Sequence, residues 1–364
     1  MTIAPRARDI GVTFDGTPGP NNAITDVDGI TVGFATVIED AVPGSHKGLC
    51  TGVTAIIPRG LSGAIDPVWA GIHSFNGNGE LTGAHHIKDL GWFMGPVMLT
   101  NSHSVGIVSH AVVGWMIDRY PEAFEDDHMW CLPVVGETYD GTLNDINARG
   151  VAEVHARAAL DAAAPGPVAE GNVGGGAGMI AYEFKGGTGT ASRRVVAAGQ
   201  SWTLGVLVQA NHGTRDGLTV SGVPVGKHLR NDLVHPRETG SIIVVIATDA
   251  PLLPHQLDRM ARRGSIGIGR GGTCGGHSSG DIFLAFSTAN PQSNPWHAPD
   301  VMALQMLKDT HLDVLYTAAV QAVDEAVINA MTAAQDRPTI KPANKIVRAI
   351  DHDALRAVLR SHSF

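Results

Sequence analysis

The sequence predicts a layered α/β fold with helices outside the sheets, and three observations lead there. Short β-branched runs recur along the chain, and each is bounded by Gly, Pro, Asn or Asp. Stretches of helical period lie between them. No internal repeat, low-complexity tract or linker divides the pattern, so helices and strands belong to common layers. The strand runs are 53–57, 97–100, 195–198, 204–209, 242–248 and 282–287. The helical stretches are 150–163, 254–263, 298–334 and 351–361. The first is Ala-rich (VAEVHARAALDAAA), and in the second Leu257, Met260 and Ala261 share one face.

A chain of 364 residues, 43% hydrophobic with a mean hydropathy of +0.05, can bury a sizeable core as one large domain or two intimately packed ones. No apolar run is long enough to span a bilayer, and MTIAPRARDIGVTFDG lacks the apolar segment of a secretory signal. A net charge of −9 without a Lys/Arg cluster argues against nucleic acid and anionic membranes as partners. Cys50, Cys131 and Cys274 are odd in number and far apart, which fits a reducing, cytoplasmic compartment and gives no CxxC zinc site. Glycine stands out: 45 of 364 residues, against an average of about 7%. It clusters at 60–95, 171–189, 213–226 and 264–280, which calls for many tight backbone turns.

Three familiar glycine motifs fail on their context. Gly267-Ile-Gly269-Arg-Gly-Gly272 matches a dinucleotide fingerprint, but a helix precedes it where a strand is needed. Gly222-Val-Pro-Val-Gly226-Lys227 is one residue short of a phosphate loop, and His228 stands where the magnesium hydroxyl belongs. Gly276-His-Ser278-Ser279-Gly280 fits GxSxG, yet a strand follows instead of the helix of a nucleophile elbow. Among 17 histidines there is no HExxH pair, and His85 and His86, read as strand residues, point to opposite sides.

The sharper constellation is Glu238-Thr239-Gly240-Ser241, where a polar segment meets a buried strand. Ser241 is either a boundary residue of that strand or a nucleophile. In the second reading its hydroxyl attacks the Gly240 carbonyl, an N-to-O acyl shift that splits the chain, and glycine permits the backbone angles required. Cleavage would leave Ser241 with a free α-amine of pKa roughly 7.7–8.0, suited to moving protons at its own hydroxyl.

GSIIVVIATDAPLLPHQLDRMARR and HSSGDIFLAFSTAN, together with NGNGELTGAHHI, GETYDGTLNDIN, VGGGAGMIAYEFKGGTGTASR and VQANHG, resemble in order the DmpA-like self-processing hydrolases. These are the D-aminopeptidase/esterases and β-peptidyl aminopeptidases, peptidase family S58. The resemblance covers nearly the whole chain and implies a four-layer αββα sandwich. It also implies a single domain processed at Gly240–Ser241 into an α-chain of residues 1–240 and a β-chain of residues 241–364, assembled as a tetramer of such heterodimers. Ser241 is then the nucleophile, Ser279 and Asp281 the second catalytic serine and acid, and Asn211 the oxyanion donor. Tyr139 belongs to the active site, and Glu137 receives the substrate's ammonium group. In this family the acid is associated with Glu, one methylene longer than Asp281. The implied substrates are small peptides, amides or esters with a free amine, and no metal or organic cofactor is implied. Two alternatives carry different chemistry: an acyltransferase of the ornithine acetyltransferase type, which uses Thr as nucleophile, and a non-catalytic glycine-rich binding protein.

Overall fold

The structure, a computed structural model, describes residues 5–234, 240–291 and 297–362. Glu238 and Thr239 of the junction lie outside the described residues. In chain order the strands are β1 (Thr31–Glu39), β2 (Leu49–Ile57), β3 (Val68–Ser74), β4 (Trp92–Phe93), β5 (Val97–Asn101), β6 (Val134–Thr138), the ribbon β7 (Ile180–Ala181) and β8 (Phe184–Lys185), β9 (Gly187–Ala197), β10 (Gln200–Asn211), β11 (Ser241–Thr248) and β12 (Asp281–Ser287). Helices α1 (Ala84–Leu90), α2 (Val105–Arg119), α3 (Pro121–Glu125), α4 (Glu153–Asp161), α5 (Val225–His228), α6 (Pro254–Ala261), α7 (Arg263–Arg270), α8 (Leu312–Thr332) and α9 (His352–Ser361) complete the main elements.

The two large sheets are ordered β1-β2-β5-β6 and β4-β3-β12-β11-β10-β9. β11 lies parallel to β12 and antiparallel to β10, near the centre of the larger sheet. Its side chains alternate between two cores, as the pleat requires. Ile242, Val244 and Ile246 pack outward with α6 and α8, whereas Ile243, Val245 and Ala247 meet Ile56, Val97, Leu99 and Val134 of the smaller sheet. A third core lies between the smaller sheet and α2 and α4. The order helix, sheet, sheet, helix is therefore the αββα sandwich. Each fully buried Ile or Val contributes about 1.5–3 kcal/mol, so the six-residue apolar run Ile242–Ala247 of β11 is anchored on both faces.

Three elements differ from the sequence reading, each for a physical reason. The helical stretch 298–334 is helical only at α8 and a short turn before it. Residues 302–308 have no regular secondary structure: the Asn290 side chain bonds both main-chain groups of Gln305 at 2.8 Å and the Leu307 N–H reaches Pro251 O at 2.8 Å. The helix expected over 254–263 resumes as α7 and carries the first four residues of the dinucleotide-like motif, Gly267–Arg270. Glycine serves packing there: a Cβ on Gly264 would stand 2.1 Å from the Phe283 ring. His85 and His86 lie in α1 rather than in a strand, and His86 meets the Trp92 ring edge-on at 4.5 Å.

One buried ionic knot ties α8 to the N-terminal segment and β9. Glu325, wholly buried, accepts from Arg8 at 2.6 and 2.7 Å, from Asn22 Nδ2 at 2.7 Å and from the buried Arg193 at 2.7 Å. Removing one partner of such a group strands the others without compensation. Glu325→Gln is expected to lower the unfolding free energy by about 3–5 kcal/mol, read from the denaturant midpoint.

Candidate active site

The site forms where β11 begins. Ser241 pairs across the antiparallel ladder with Asn211, the last residue of β10. On its other side Ile242 pairs with Asp281, the first residue of β12. Ser241 is 6% exposed, and its Oγ accepts the Gly280 N–H at 3.1 Å. Because that bond uses a lone pair, the hydroxyl proton stays available for transfer. Gly240 is held against β10 so closely that a Cβ would stand 1.7 Å from the Asn211 carbonyl oxygen and 3.1 Å from His212 Cα. The glycine requirement at this junction is thus one of close approach.

Glu137, in β6, reaches the same place from the smaller sheet. Its Oε1 accepts the Glu80 N–H at 3.0 Å, and its Oε2 accepts the Ser102 hydroxyl. Parallel pairing of β5 with β6 places Asn101 opposite Thr138, which brings Ser102 to Glu137. Ser241, Glu137, Tyr139, Ser102, Ser278 and the Asn78–Glu80 loop line a common cavity of about 390 Å³. Tyr139 is 44% exposed, with its ring lying over Gly141.

Asn211, Ser279 and Asp281 stand in the layer behind that wall. Asn211 Nδ2 donates to Tyr139 O at 2.9 Å, and Oδ1 accepts from Ile180 N–H at 2.8 Å. One Nδ2 proton is thereby committed and the second is left for another acceptor. Ser279 Oγ donates to Asp281 Oδ1 at 2.6 Å, and Asn76 Nδ2 reaches Oδ2 at 3.3 Å. The shorter Asp281 side chain makes the serine–acid contact at normal length.

These positions fall within a family model described as Peptidase family S58, which matches residues 22–343. The chain belongs to that family. It is 47% identical to the β-peptidyl aminopeptidase BapA of Sphingosinicella microcystinivorans, over 98% of this chain and 92% of the relative. Among solved structures it superposes with a TM-score of 0.95 on the L-aminopeptidase D-Ala-esterase/amidase of Ochrobactrum anthropi, at 56% identity over 98% of this chain and 99% of that one. That structure represents a variant of the Ntn hydrolase fold. A Burkholderia sp. β-aminopeptidase gives 0.89 at 45% identity, covering 99% of both chains. The reaction class follows: this S58 peptidase is a hydrolase of the aminopeptidase type.

Two buried titratable groups flank the peptidase's site without lining the cavity. Asp140, beside Tyr139, takes the Asn144 amide at 3.0 Å, and burial pushes its carboxyl up to about 7. Lys185 is wholly buried with its ammonium on Gly186 O at 2.9 Å, and burial pushes it down to about 7. No helix among the described residues is long and apolar enough to cross a membrane.

The candidate site also contains residues that the sequence reading gave no role. Ser102 and the Glu80 N–H fix Glu137, the Gly280 N–H meets Ser241, and Asn76 meets Asp281. The Asn-Gly run was a visible signal for 76–80. Ser102 had none, since its partner lies 35 positions away across a strand pair. Trp130, Cys131 and Phe75, near the motifs in sequence, do not line the cavity.

Proposed function

We propose that the peptidase cuts its own Gly240–Ser241 bond and then hydrolyses short peptides, amides and esters at a free N-terminal amino acid through a Ser241 acyl-enzyme. The observation that carries this reading is one cavity bearing both the Ser241 hydroxyl and the Glu137 carboxylate. An exopeptidase needs a nucleophile and an ammonium acceptor within one residue's reach, and a carboxylate is the stronger acceptor for a cation.

In the self-cleavage, Ser241 Oγ attacks the Gly240 carbonyl carbon, and the C–N bond breaks to leave an ester and the Ser241 α-amine. Water then hydrolyses the ester, giving an α-chain of residues 1–240 and a β-chain of residues 241–364. In turnover, the substrate ammonium rests on Glu137 and Ser241 Oγ attacks the neighbouring carbonyl. The Ser241 α-amine takes the hydroxyl proton and passes it to the leaving amine. Asn211 Nδ2 stabilises the developing oxyanion, assisted by the Tyr139 phenol, and the Ser279–Asp281 pair orients the nucleophile. The two fragments interleave in one sheet, since β11 and β12 lie between β3 and β10, so cleavage keeps them together.

The relatives' names, a β-peptidyl aminopeptidase and an L-aminopeptidase D-Ala-esterase/amidase, support a substrate class of L-amino-acid, D-alanyl and β-amino-acid derivatives. A tetramer of heterodimers is the assembly we propose, and three free cysteines support a cytoplasmic setting. The test is intact-mass analysis together with p-nitroanilides of L-alanine, D-alanine and β-homoalanine and an N-acetylated control. Two fragments whose masses sum to the chain plus one water, with hydrolysis only of free amines, support the reading. A single uncut chain without turnover sinks it. Within that panel Glu137→Gln is expected to lower kcat/KM by about 10–150-fold, the worth of a charge-assisted bond of about 1.5–3 kcal/mol, and to do so through KM.

A further inference from the structure

The guanidinium of Arg215 is 3% exposed and forms its hydrogen bonds only to main-chain carbonyls among the described residues. Nε donates to Tyr182 O at 2.9 Å and Nη2 to Glu183 O at 2.7 Å. Nη1 donates to Leu229 O at 2.6 Å and to Asn231 O at 3.1 Å. The plane stacks on Phe184, 3.3 Å from the ring centroid. One cation therefore joins two segments that are far apart in sequence.

The first segment backs the scissile residue, and the second precedes it in the chain. Tyr182 and Glu183 form the tip of the β7–β8 ribbon, and both hold positive φ, 50° and 64°. Non-glycine residues hold that conformation at a cost and keep it where surrounding contacts impose it. The Tyr182 N–H donates to His212 O at 2.8 Å, and His212 with Asn211 is the backing against which Gly240 lies. The second segment is the chain that leads toward Gly240: Arg215 takes its carbonyls at 229 and 231, and Glu183 Oε2 accepts the Val234 N–H at 2.9 Å.

We propose that Arg215, with Glu183, is a positioning device for self-cleavage: it sets the backing wall of Gly240 and the incoming chain in one frame. The inference rests on the self-cleavage proposed above. Bringing Ser241 Oγ onto the preceding carbonyl requires an approach that small displacements spoil. Lysine cannot replace the fork, because it offers a point charge and three donors where four carbonyls are spread around a plane. Small substrates, by contrast, bind in the cavity of Ser241 and Glu137, which Arg215 does not line.

The test is a time course of fragment appearance after a pulse of cell-free synthesis, for the full chain and for Arg215→Lys and Glu183→Ala. Both variants are expected to cleave at least about tenfold more slowly, a loss of about 1.4 kcal/mol in the transition state. Their processed fractions are expected to hydrolyse p-nitroanilides with kcat within about threefold of the parent, less than about 0.7 kcal/mol. A purely structural role would lower thermal stability and turnover together, without a separate delay in cleavage. Parent-like cleavage by either folded variant overturns the inference, as does a kcat that falls in step with cleavage. If Arg215→Lys does not fold, the Glu183→Ala rate decides alone. An unprocessed parent chain is a different outcome and counts against the self-cleavage itself.

Discussion

A Ser241→Ala chain is expected to migrate as a single 38.0 kDa band and to lose turnover by about 10⁴-fold or more. One atom removes two reactions, because the hydroxyl that would open the Gly240–Ser241 bond is also the one that would attack substrate. Folding is expected to survive. Among the described residues the hydroxyl makes one hydrogen bond, from the Gly280 N–H, and orphaning that donor costs about 1–3 kcal/mol. Thermal unfolding of the variant beside the parent, with gel and p-nitroanilide assays on the same samples, checks all three statements. Normal fragments or undiminished hydrolysis from this variant would remove Ser241 from the mechanism.

Asn211→Ala is expected to reduce kcat by about 10²–10³-fold, the usual loss of one oxyanion donor. Two structural bonds go with it, since Ile180 N–H loses its acceptor and Tyr139 O its donor. Asn211→Asp separates the effects. The carboxylate still accepts from Ile180 N–H, but it presents a negative charge where the intermediate develops its own. Asp is therefore expected to match Ala in kcat while recovering part of its stability. A folded Asn211→Asp enzyme retaining kcat within about threefold would falsify the oxyanion assignment.

How much of this was legible in the sequence depends on the physics of each element. β11 announced itself, because SIIVVIAT is apolar on both faces and a strand buried on both sides must be. Helix α2 did not. VGIVSHAVVGWMIDR is rich in β-branched residues and glycine, which lower helix propensity, and it is held by packing on β5, β6 and α4. The irregular run before α8 has a helical pattern that two side-chain bonds from Asn290 override. At the site, Ser241, Ser279 and Asp281 stand at strand starts; the junction alone left Ser241 open between boundary and nucleophile, and the resemblance of the surrounding motifs gave Ser279 and Asp281 their roles. Glu137 and Ser241 lie over a hundred residues apart, and no periodicity signals that two sheets bring them to one cavity.

The buried carboxylate of Glu325 acquires a second meaning beside the proposed cut. Glu325 lies after residue 241, whereas Arg8, Asn22 and Arg193 lie before it. In a cleaved molecule these contacts become a bridge between separate polypeptides, with the Glu325 carboxylate and the Arg193 guanidinium buried. Salt screens exposed charges and reaches buried ones poorly. The processed pair should therefore stay joined in concentrated salt that would part subunits held by surface charge. Acid is the more effective solvent, since protonating this one carboxylate releases both arginines of the other fragment.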